Sequence, residues 1–528
     1  MAAGHGVNLI GIDLGTTMSV IARLRPDGTP ETIPNEAADP LTSSVIYLDG
    51  NRALVGRRGK DAAALQPAKA AAFVKREMGS PAYGRPVDGR RFRPETLSAV
   101  ILRKMKKAAE DRLGQPILRA VITVPAFFDE SRRKSTQDAG RIAGLEVDDI
   151  LNEPTAAALA YARRARQLAG DVGPVFAVPG GEMTAVVYDL GGGTFDLTVV
   201  RLKSNRFEVL ATGGDRQLGG KDWDEEIVKF VAEEFKRRFG LDPRENLRVR
   251  EHLASMAEKT KIVLSDLDSV PIEFTYQGKT LETTLTRGQF EELTANLLVQ
   301  TRLTAESVVR REAGLRWEDV DQVLLVGGST RMPMVRDMLH RIAGKPPNDE
   351  LDPDQVVAHG AAIHAGIVDA KRGGDGELEP LTRRQIEKVE VFNVNSHALG
   401  VAIVPNDRPA TDVLIPKNTQ LPFAASRVYG LRYAGTSAIR VRVLEGESPD
   451  PDHNIEIGDC RITGLPEDLP RGAPIQVRLA YEPNGLVNVM ALDMTNGRFV
   501  QSVIERHNGL TDADIAREAE FVRNLEIH

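Results

Sequence analysis

Two short stretches decide the fold of this chain: IGIDLGTT at residues 10–17 and VYDLGGGT at residues 187–194. In both, an apolar strand ends in an aspartate, passes through Leu-Gly and reaches a threonine. A second apolar strand then follows, at 19–24 and at 195–202. The tip of such a hairpin exposes backbone N–H groups, and glycine lets that backbone approach an anion closely. The repeated pattern therefore predicts a duplicated unit whose two tips clamp the phosphates of a nucleotide.

An aspartate ends the first strand of each copy, and we expect both to lie at the mouth of this phosphate clamp. They are Asp13 and Asp189. Hard Mg²⁺ prefers carboxylate, water and phosphate oxygens, so these two side chains are candidate magnesium ligands. One Asp-Leu-Gly turn alone would indicate only a tight turn. Two copies with matched strands on both sides make duplication the better hypothesis.

Length and composition limit the class of protein. A chain of 528 residues is too long for one compact core, so we expect two or more domains. The formal net charge of −7 gives no overall attraction for nucleic acid or an anionic membrane, although it leaves room for local basic patches. The single cysteine, Cys460, excludes an internal disulfide, and the N-terminus lacks a signal-peptide pattern. No apolar run approaches the ~20 residues that span a bilayer, so we predict a cytoplasmic protein with neither membrane nor nucleic acid as partner.

The pattern of the sequence changes near residue 370. Up to that point β-branched strands alternate with amphipathic stretches, which is typical of an α/β domain. A polar, charged connector follows, and short alternating segments separated by turn residues then indicate antiparallel β structure. The predicted elements include strands 120–124, 323–326, 439–444 and 475–481, helices 131–143 and 382–388, and turns at Asn484-Gly485 and Asn496-Gly497.

A third glycine element, VGGSTRMP at residues 326–333, follows a strand and precedes a helix, where backbone amides can meet a phosphate or a sugar. Combined with IDLGTT, FVKREMG, VITVPAFF, NEPTAAALAYA, VYDLGGGTFDLTVV, LGGKDWDEEI and AEKTKIVLS, it makes the chain resemble the DnaK-type heat-shock-70 chaperone family. The resemblance is highly specific over residues 8–370 and weaker from 391 to about 510. The stretch 75–97 is similar to the short HscC-type branch.

The resemblance implies a four-part organisation. An α/β domain of the actin-like ATPase fold, which is a duplicated ribonuclease-H-like unit, would occupy residues 1–370, and an interdomain linker would occupy 371–392. An all-β sandwich that binds peptide would follow over 393–509. Residues 510–528 form a short helix, with a capping box at Thr511, that we interpret as the start of a truncated lid. Without a full lid we expect fast peptide release, because lid closure mainly slows release.

The resemblance also implies roles for individual residues. Lys75, Glu153 and Asp196, together with Thr194, would position and activate the water that attacks ATP. Such a division of labour suits phosphoryl transfer, in which catalysis is mostly positioning and neutralisation of charge. The two aspartates of the clamp would organise Mg²⁺ through waters. The residues expected to bind ATP or ADP are Gly15, Thr16, Thr17, Met18, Gly191, Gly192, Gly193, Thr194, Glu258, Lys261, Ser265, Gly327, Gly328, Ser329, Arg331 and Asp354.

For the sandwich, the resemblance implies that backbone hydrogen bonds and an apolar pocket hold an extended polypeptide. An alternative remains for each pocket residue, because alternating apolar side chains are also what any sandwich core requires. The candidate pocket residues are Leu399, Val401, Val404, Tyr429, Ile439 and Val441.

Three positions depart from the family's pattern. Glu390 places a charge in the apolar linker, and Asn393 stands where the family has an aspartate. Asp149 stands where DnaK has an arginine that receives a J-domain co-chaperone. An acid cannot make the same salt bridge, which argues against stimulation by a standard J-domain partner. A nucleotide exchange factor remains an expected partner.

Three hypotheses follow. The first is an ATP-dependent molecular chaperone, an ATPase that binds unfolded polypeptide in protein folding and the stress response. The second is a nucleotide-switched regulator or scaffold dedicated to one protein client, which the altered linker and Asp149 favour. The third, a small-molecule kinase on the same fold, needs a substrate pocket with an acid poised against an acceptor hydroxyl, and the sequence offers a peptide-binding sandwich instead. We favour the first hypothesis.

Overall fold

The structure is a computed structural model that describes residues 8–168, 170, 181–436, 438–463, 465, 469–495, 498–502 and 509–528. Two α/β lobes come first, a β-sandwich follows, and the C-terminal segment returns to the first lobe. Apolar clusters fill each lobe, the junction between the lobes, and the sandwich. None of the helices in these ranges has the length and apolarity needed to cross a bilayer.

The first lobe is built around the first phosphate turn. Its strands are β1 (Ile10–Asp13), β2 (Met18–Leu24), β3 (Pro30–Thr32), β4 (Thr42–Ser43), β5 (Ile46–Asp49), β6 (Arg52–Val55), β7 (Ala70–Ala71), β8 (Arg119–Val124) and β9 (Glu146–Asn152), and its helices are α1 (Arg57–Leu65), α2 (Pro94–Leu113), α3 (Glu130–Ile142) and α4 (Glu153–Leu168). β1 pairs antiparallel with β2 and parallel with β8, in a sheet of order β3-β2-β1-β8-β9. The phosphate turn thus joins two adjacent strands in the middle of that sheet.

The second lobe repeats this pairing. Its strands are β10 (Glu182–Leu190), β11 (Phe195–Lys203), β12 (Arg206–Asp215), β13 (Ser269–Tyr276), β14 (Lys279–Thr286), β15 (Gln322–Val326) and β16 (Glu390–Phe392), and its helices are α5 (Gly220–Phe239), α6 (Leu247–Asp266), α7 (Arg287–Leu293), α8 (Ala295–Glu306) and α9 (Pro333–Ala343). The chain then returns to the first lobe, where α10 (Val356–Lys371) packs on β1 and β2 and α11 (Pro380–Ile386) packs on α10. β10 pairs antiparallel with β11 and parallel with β15, as β1 does with β2 and β8. Matching strand orders around both turns confirm the predicted duplication.

The end of the linker is a strand of the second lobe's sheet. β16 pairs parallel with β12, so that Val391 lies opposite Phe207. Val391 packs against the apolar cluster between the lobes, and the guanidinium of Arg206 lies 4.1 Å from the ring centre of Phe392. Glu390 is exposed, so its charge does not enter the core. The sequence predicted a connector here but not its pairing.

The second domain is the predicted antiparallel sandwich. Its strands are β17 (Leu399–Ile403), β18 (Ala410–Ile415), β19 (Phe423–Gly430), β20 (Ala438–Glu445), β21 (Ile455–Thr463), β22 (Pro474–Tyr481), β23 (Val487–Asp493) and β24 (Arg498–Ser502). They form two sheets, of order β18-β17-β20-β21 and β19-β22-β23-β24. The predicted hairpin at Asn484-Gly485 joins β22 to β23, whereas Asn496-Gly497 lies outside the described residues.

The C-terminal segment packs on the first lobe. Helix α12 (Asp512–Asn524) begins at the predicted capping box, in which Thr511 and Asp514 exchange side-chain to backbone hydrogen bonds. It lies against α2 and α3, and Val522 is buried in the core of that lobe. Strand β25 (Glu526–Ile527) then pairs parallel with β6, in a sheet of order β25-β6-β5-β7. We predicted the start of a lid here, and the described contacts place the segment in the wall of the first lobe.

Deletion of residues 525–528 should loosen the edge of this small sheet. The amide of Val55 donates to the carbonyl of His528 at 3.0 Å, and the amide of His528 donates to Ala53 at 2.9 Å. Because one hydrogen bond contributes about 1 kcal/mol, we expect the Val55 amide to exchange with D₂O roughly fivefold faster in the deletion variant. Hydrogen–deuterium exchange with mass spectrometry measures this rate, with β14 of the second lobe as internal control. Unchanged exchange at Val55 would show that β25 does not stabilise the lobe.

Candidate active site

The two predicted phosphate turns face each other across the cleft between the lobes. A Cβ atom added to Gly193 would lie 2.3 Å from Cγ2 of Thr16, and one added to Gly192 would lie 2.3 Å from Cγ2 of Thr17. Both distances are far below van der Waals contact, so only glycine permits this approach. The backbone of both turns is therefore brought around one small volume.

Hydrogen bonds within the chain fix the conformation of both turns. In the first turn, the amide of Gly15 donates to Ser19 Oγ at 3.1 Å, and Ser44 Oγ donates to the carbonyl of Gly15 at 2.8 Å. In the second, the carbonyl of Gly191 accepts from Ser329 Oγ at 3.1 Å. Ser329 belongs to the third glycine element, so the sequence's three glycine elements meet at one site.

Four carboxylates and one lysine converge beside these turns. Asp13 and Asp189 end β1 and β10, and Asp196 lies in β11 opposite Asp189. Glu153 is the first residue of α4 and receives a short hydrogen bond from Lys75 Nζ. Lys75 and Glu153 are only 6% exposed and Asp196 1%, so these charges interact through protein rather than through water.

The electrostatics of this cluster are unbalanced. Burial and, after it, Glu153 raise the pKa values of Asp13 and Asp196 to about 7. The same two causes raise the pKa of Asp189 well above its ordinary value. Burial alone would lower the pKa of Lys75, but Glu153 and Asp13 raise it above its ordinary value, so the lysine stays charged. One ammonium among four carboxylates leaves an excess of buried negative charge.

A hard cation held through water fits this donor set. The Oδ2 atom of Asp189 is buried and has no hydrogen-bond partner among the described residues. Within the described ranges, no three His, Cys, Asp or Glu side chains converge closely enough to enclose a metal ion by themselves. An ion that keeps several of its waters and uses one or two carboxylates satisfies both observations. Asp13 and Asp189 are the carboxylates that would hold such an ion.

The predicted adenosine contacts on α6 lie along one face of that helix. Glu258, Lys261 and Ser265 are three and four residues apart, which is helical spacing. Lys261 Nζ donates to the carbonyl of Gly220 at 2.9 Å and pairs with Asp224 at 2.8 Å. Burial raises the pKa of Asp224 to about 6. The α6 face is thus fastened to the helix that follows the second phosphate turn.

The remaining predicted nucleotide contacts are placed by the third glycine element and by β2. A Cβ atom on Gly327 would lie 2.5 Å from the carbonyl of Leu190, and one on Gly328 would lie 2.9 Å from Asp354 Oδ1. Arg331 pairs with Asp354 at 2.7 Å, which fixes its guanidinium at the rim of the cleft. Met18 is the first residue of β2 and is half-buried.

Residues that the sequence analysis did not single out hold the lobes together across the cleft. Arg76 of the first lobe pairs with Asp222 of the second at 2.5 Å and donates to the carbonyl of Gly193 at 2.6 Å. Lys60 pairs with Glu258 at 2.5 Å. Arg76 and Asp222 lie inside the quoted motifs FVKREMG and LGGKDWDEEI, so their position within these motifs could have identified them from the sequence. Lys60 lies in none of the quoted motifs, so the sequence did not indicate its role.

Phe127 connects the candidate site to the sandwich. Asp196 Oδ1 accepts a hydrogen bond from the amide of Phe127 at 2.9 Å. The ring of Phe127 lies 4.3 Å from the ring of His397, and Lys417 Nζ lies 5.8 Å from the same ring. His397 and Lys417 belong to the second domain, so a movement of Asp196 would change the contacts of Phe127 with that domain.

The linker also contacts the start of α4. Asn393 Oδ1 accepts from Thr155 Oγ1 at 2.9 Å and from Asn152 Nδ2 at 3.4 Å, on either side of the predicted catalytic glutamate. Asp149 of the same region pairs with His364 at 2.8 Å. Two of the three departures from the family's pattern, Asn393 and Asp149, are therefore engaged in hydrogen bonds within the chain.

The six predicted peptide-contact residues occupy different environments. Those buried in the core of the sandwich are Leu399, Val401 and Val441. Tyr429 and Ile439 are partly buried against that core, and Val404 is 43% exposed. The hydroxyl of Tyr429 donates to Asp412 at 2.6 Å. Three of the six side chains thus remain accessible from the surface.

Comparison with known proteins agrees with this architecture. A sequence model of the family described as Hsp70 protein matches residues 9–524. Chaperone protein DnaK of Thermotoga neapolitana is 38% identical, with 98% of this chain and 84% of that protein covered. Chaperone protein dnaK3 of Thermosynechococcus vestitus is 39% identical, with 96% and 74% covered. The chain belongs to the Hsp70 family of ATP-hydrolysing chaperones, which favours the chaperone hypothesis over a dedicated scaffold. The HscC-type detail stays a prediction.

Replacement of Lys60 by Gln should speed nucleotide release. The variant removes the bond to Glu258 that spans the cleft, and a partly exposed pair contributes up to about 1 kcal/mol. We expect ADP to leave roughly two- to fivefold faster, measured by stopped flow with a fluorescent ADP. Lys229→Gln removes a comparable pair with Glu226 outside the cleft and is the matched control. Equal release rates in Lys60→Gln and wild type would mean that this bridge does not restrain opening.

Proposed function

We propose that the two phosphate turns hold the phosphates of ATP between the lobes. The observation that carries this proposal is the approach of Gly192 and Gly193 to Thr16 and Thr17 of the first turn, which brings the backbones of the two turns close together. Anions bind well to clusters of backbone amides. The proposed phosphate ligands are Gly15, Thr16, Thr17, Gly191, Gly192, Gly193 and Thr194.

Magnesium is the cation that we propose for this site. Asp13 and Asp189 would hold it through water molecules, and the unpartnered Oδ2 of Asp189 supports this assignment. When bound, the ion would supply positive charge that neutralises part of the phosphate charge. Without such a cation, the closed cleft would bring ATP against carboxylates that repel it.

The side chains that would act on the attacking water are Lys75, Glu153 and Asp196. Lys75 places the one ammonium group of the cluster next to both lobes' turns, where negative charge develops on the phosphates. Glu153 holds that ammonium in place through a short hydrogen bond. Asp196 is oriented by the amide of Phe127, which leaves its second oxygen free to orient a water.

The adenosine would lie between the α6 face and the third glycine element. Lys261 is fixed by Gly220 and Asp224, which supports a role in shaping the pocket rather than in chemistry. Arg331, held by Asp354, offers a planar guanidinium on which a base can stack. The proposed contacts here are Met18, Glu258, Lys261, Ser265, Gly327, Gly328, Ser329, Arg331 and Asp354.

Lys75→Ala should separate binding from hydrolysis. Loss of the buried ammonium removes charge stabilisation at the reacting phosphate, so we expect ATP turnover to fall about 100-fold or more, while ATP still binds. Single-turnover hydrolysis and equilibrium titration measure the two quantities. Lys69→Ala removes a lysine of the same lobe whose ammonium pairs with Asp49, and it should turn over ATP normally. Retained hydrolysis in Lys75→Ala would remove this lysine from the mechanism.

For the polypeptide, we propose contact at the accessible members of the predicted pocket. Val404 is exposed, and Tyr429 and Ile439 are partly buried, whereas Leu399 and Val401 lie in the core of the sandwich. An extended segment can add backbone hydrogen bonds to a sheet edge while its side chains meet such a surface. The sixth residue, Val441, would support Ile439 from the core.

The interface between the domains is polar, which suits an interface that opens and closes. Glu312 of the second lobe accepts from Asn418 Nδ2 at 2.9 Å and pairs with Lys417 at 2.9 Å. Glu445 of the sandwich accepts from the amide of Glu130 at 3.0 Å and from the hydroxyl of Tyr481 at 2.9 Å. Burial and then Asp129 raise the pKa of Glu445 to about 8.

Glu312→Ala should weaken the coupling between ATP and polypeptide. In the wild type we expect ATP to lower the affinity for an extended fluorescent peptide, measured by anisotropy with ATP and with ADP. Without Glu312 the docked arrangement loses two contacts of the sandwich, so the ratio of the two affinities should shrink roughly tenfold. Glu306→Ala, which removes only a local pair with Arg310, is the matched control. A wild-type affinity that does not respond to nucleotide would contradict allosteric chaperoning itself.

Two further proposals concern the co-chaperones and the cellular location. Asp149, engaged by His364, offers negative charge where a J-domain partner of DnaK meets an arginine, which argues against stimulation by a standard J-domain partner. A nucleotide exchange factor that opens the cleft would have to break the ion pairs between the lobes, Arg76–Asp222 and Lys60–Glu258. The cytoplasm remains the predicted location.

A further inference from the structure

A groove of about 390 Å³ lies between α2, the end of α3 and the C-terminal helix α12, on the side of the first lobe away from the phosphate turns. Side chains from three separate elements line it. Its cationic residues are Arg103, Lys106, Lys107, Arg141 and Arg523, and its one acidic residue is Glu110. This local excess of positive charge contrasts with a chain of net charge −7.

Among the residues that the structure describes, three of the five cations have no partner. Lys106 pairs with Glu110 at 2.6 Å, and Arg141 pairs with Asp512 of α12 at 2.8 Å. Arg103, Lys107 and Arg523 make no hydrogen bond or ion pair with another described residue. An ordinary solvated face alternates charges or spreads them, whereas these side chains converge on one concavity.

Mutual repulsion accompanies this convergence. Arg103 on α2 is half-buried, and Arg523 on α12 approaches it from the opposite wall. Burial and the nearby Arg523 lower the pKa of Arg103 below its ordinary value. Packing of α12 against α2 therefore brings like charges together, and an anion between them would relieve the repulsion.

The geometry points to a binding site for a small phosphate-rich anion. Guanidinium groups present N–H donors in a fork that matches phosphate oxygens, and Lys107 adds a point charge. A volume of about 390 Å³ is in the range of small-molecule sites and is too local for a nucleic acid track. We propose that this groove binds a chain of linked phosphates, either inorganic polyphosphate or the phosphates of a nucleotide, and that the bound anion fastens α12 to the first lobe.

The test must distinguish binding in this groove from binding in the nucleotide cleft. The protein is saturated with Mg-ADP in excess Mg²⁺ and titrated with inorganic tripolyphosphate by calorimetry. We expect one further equivalent to bind, with an affinity that falls as salt rises. In Arg103→Gln/Arg523→Gln we expect the affinity to fall roughly tenfold for each arginine lost. Arg248→Gln/Arg302→Gln, which removes two exposed arginines elsewhere, is the control of equal charge and should bind normally.

A second readout reports on α12. Tripolyphosphate should slow amide exchange in α12 in the wild type and leave it unchanged in Arg103→Gln/Arg523→Gln. A further titration with ADP alone distinguishes the two candidate anions. If the wild type binds a second equivalent of ADP and Arg103→Gln/Arg523→Gln does not, the groove binds the phosphates of a nucleotide. No saturable binding, or equal weakening in the control variant, would overturn the proposal. Normal binding of the first ADP equivalent in both variants establishes that they are folded.

Discussion

The close approach of two glycine-rich turns is the constraint on which this structure depends. Gly192 and Gly193 lie against the threonines of the first turn without room for a Cβ atom. This contact permits the lobes to close, and in the closed arrangement the carboxylates at the strand ends form one buried cluster. Such a cluster costs free energy unless cations accompany it. Closure of the cleft, the charge of Lys75 and the proposed binding of a cation would therefore be parts of one equilibrium. The bridge from Arg76 to Asp222 favours the closed cleft.

That equilibrium reaches the second domain through short connections. Asp196 holds the backbone of Phe127, whose ring meets His397 of the sandwich. Asn393 contacts the start of α4, which begins with the glutamate that binds Lys75. Strand β16 makes the linker part of the second lobe's sheet, so the linker cannot leave that sheet without losing backbone hydrogen bonds. A rearrangement at the phosphate turns thus has three routes by which it changes the docking of the sandwich.

The C-terminal segment gives the first lobe a structural element from the far end of the chain. Val522 is buried in the core of that lobe, and β25 extends its small sheet. The sandwich is consequently tied to the ATPase domain at both of its ends, through β16 and through α12. A basic groove beneath α12 adds an electrostatic component to this attachment. Repulsion between Arg103 and Arg523 and burial of Val522 oppose each other there, so an anion would shift the balance toward the attached state.

Local patterns in the sequence determined the hairpins, their duplication and the antiparallel β structure, because turn glycines and alternating apolar residues are encoded within a few neighbouring positions. The same patterns singled out Asp13 and Asp189, whereas Lys75 and Glu153 were identified only through the resemblance of longer motifs to the family. Only the tertiary structure decided which residues bridge the lobes and which strands complete the sheets. Lys60 and Glu258 are distant in sequence, and neither has a local feature that names the other. β16 and β25 are three and two residues long. Strands so short have no periodicity of their own and exist only because a distant strand supplies their hydrogen bonds.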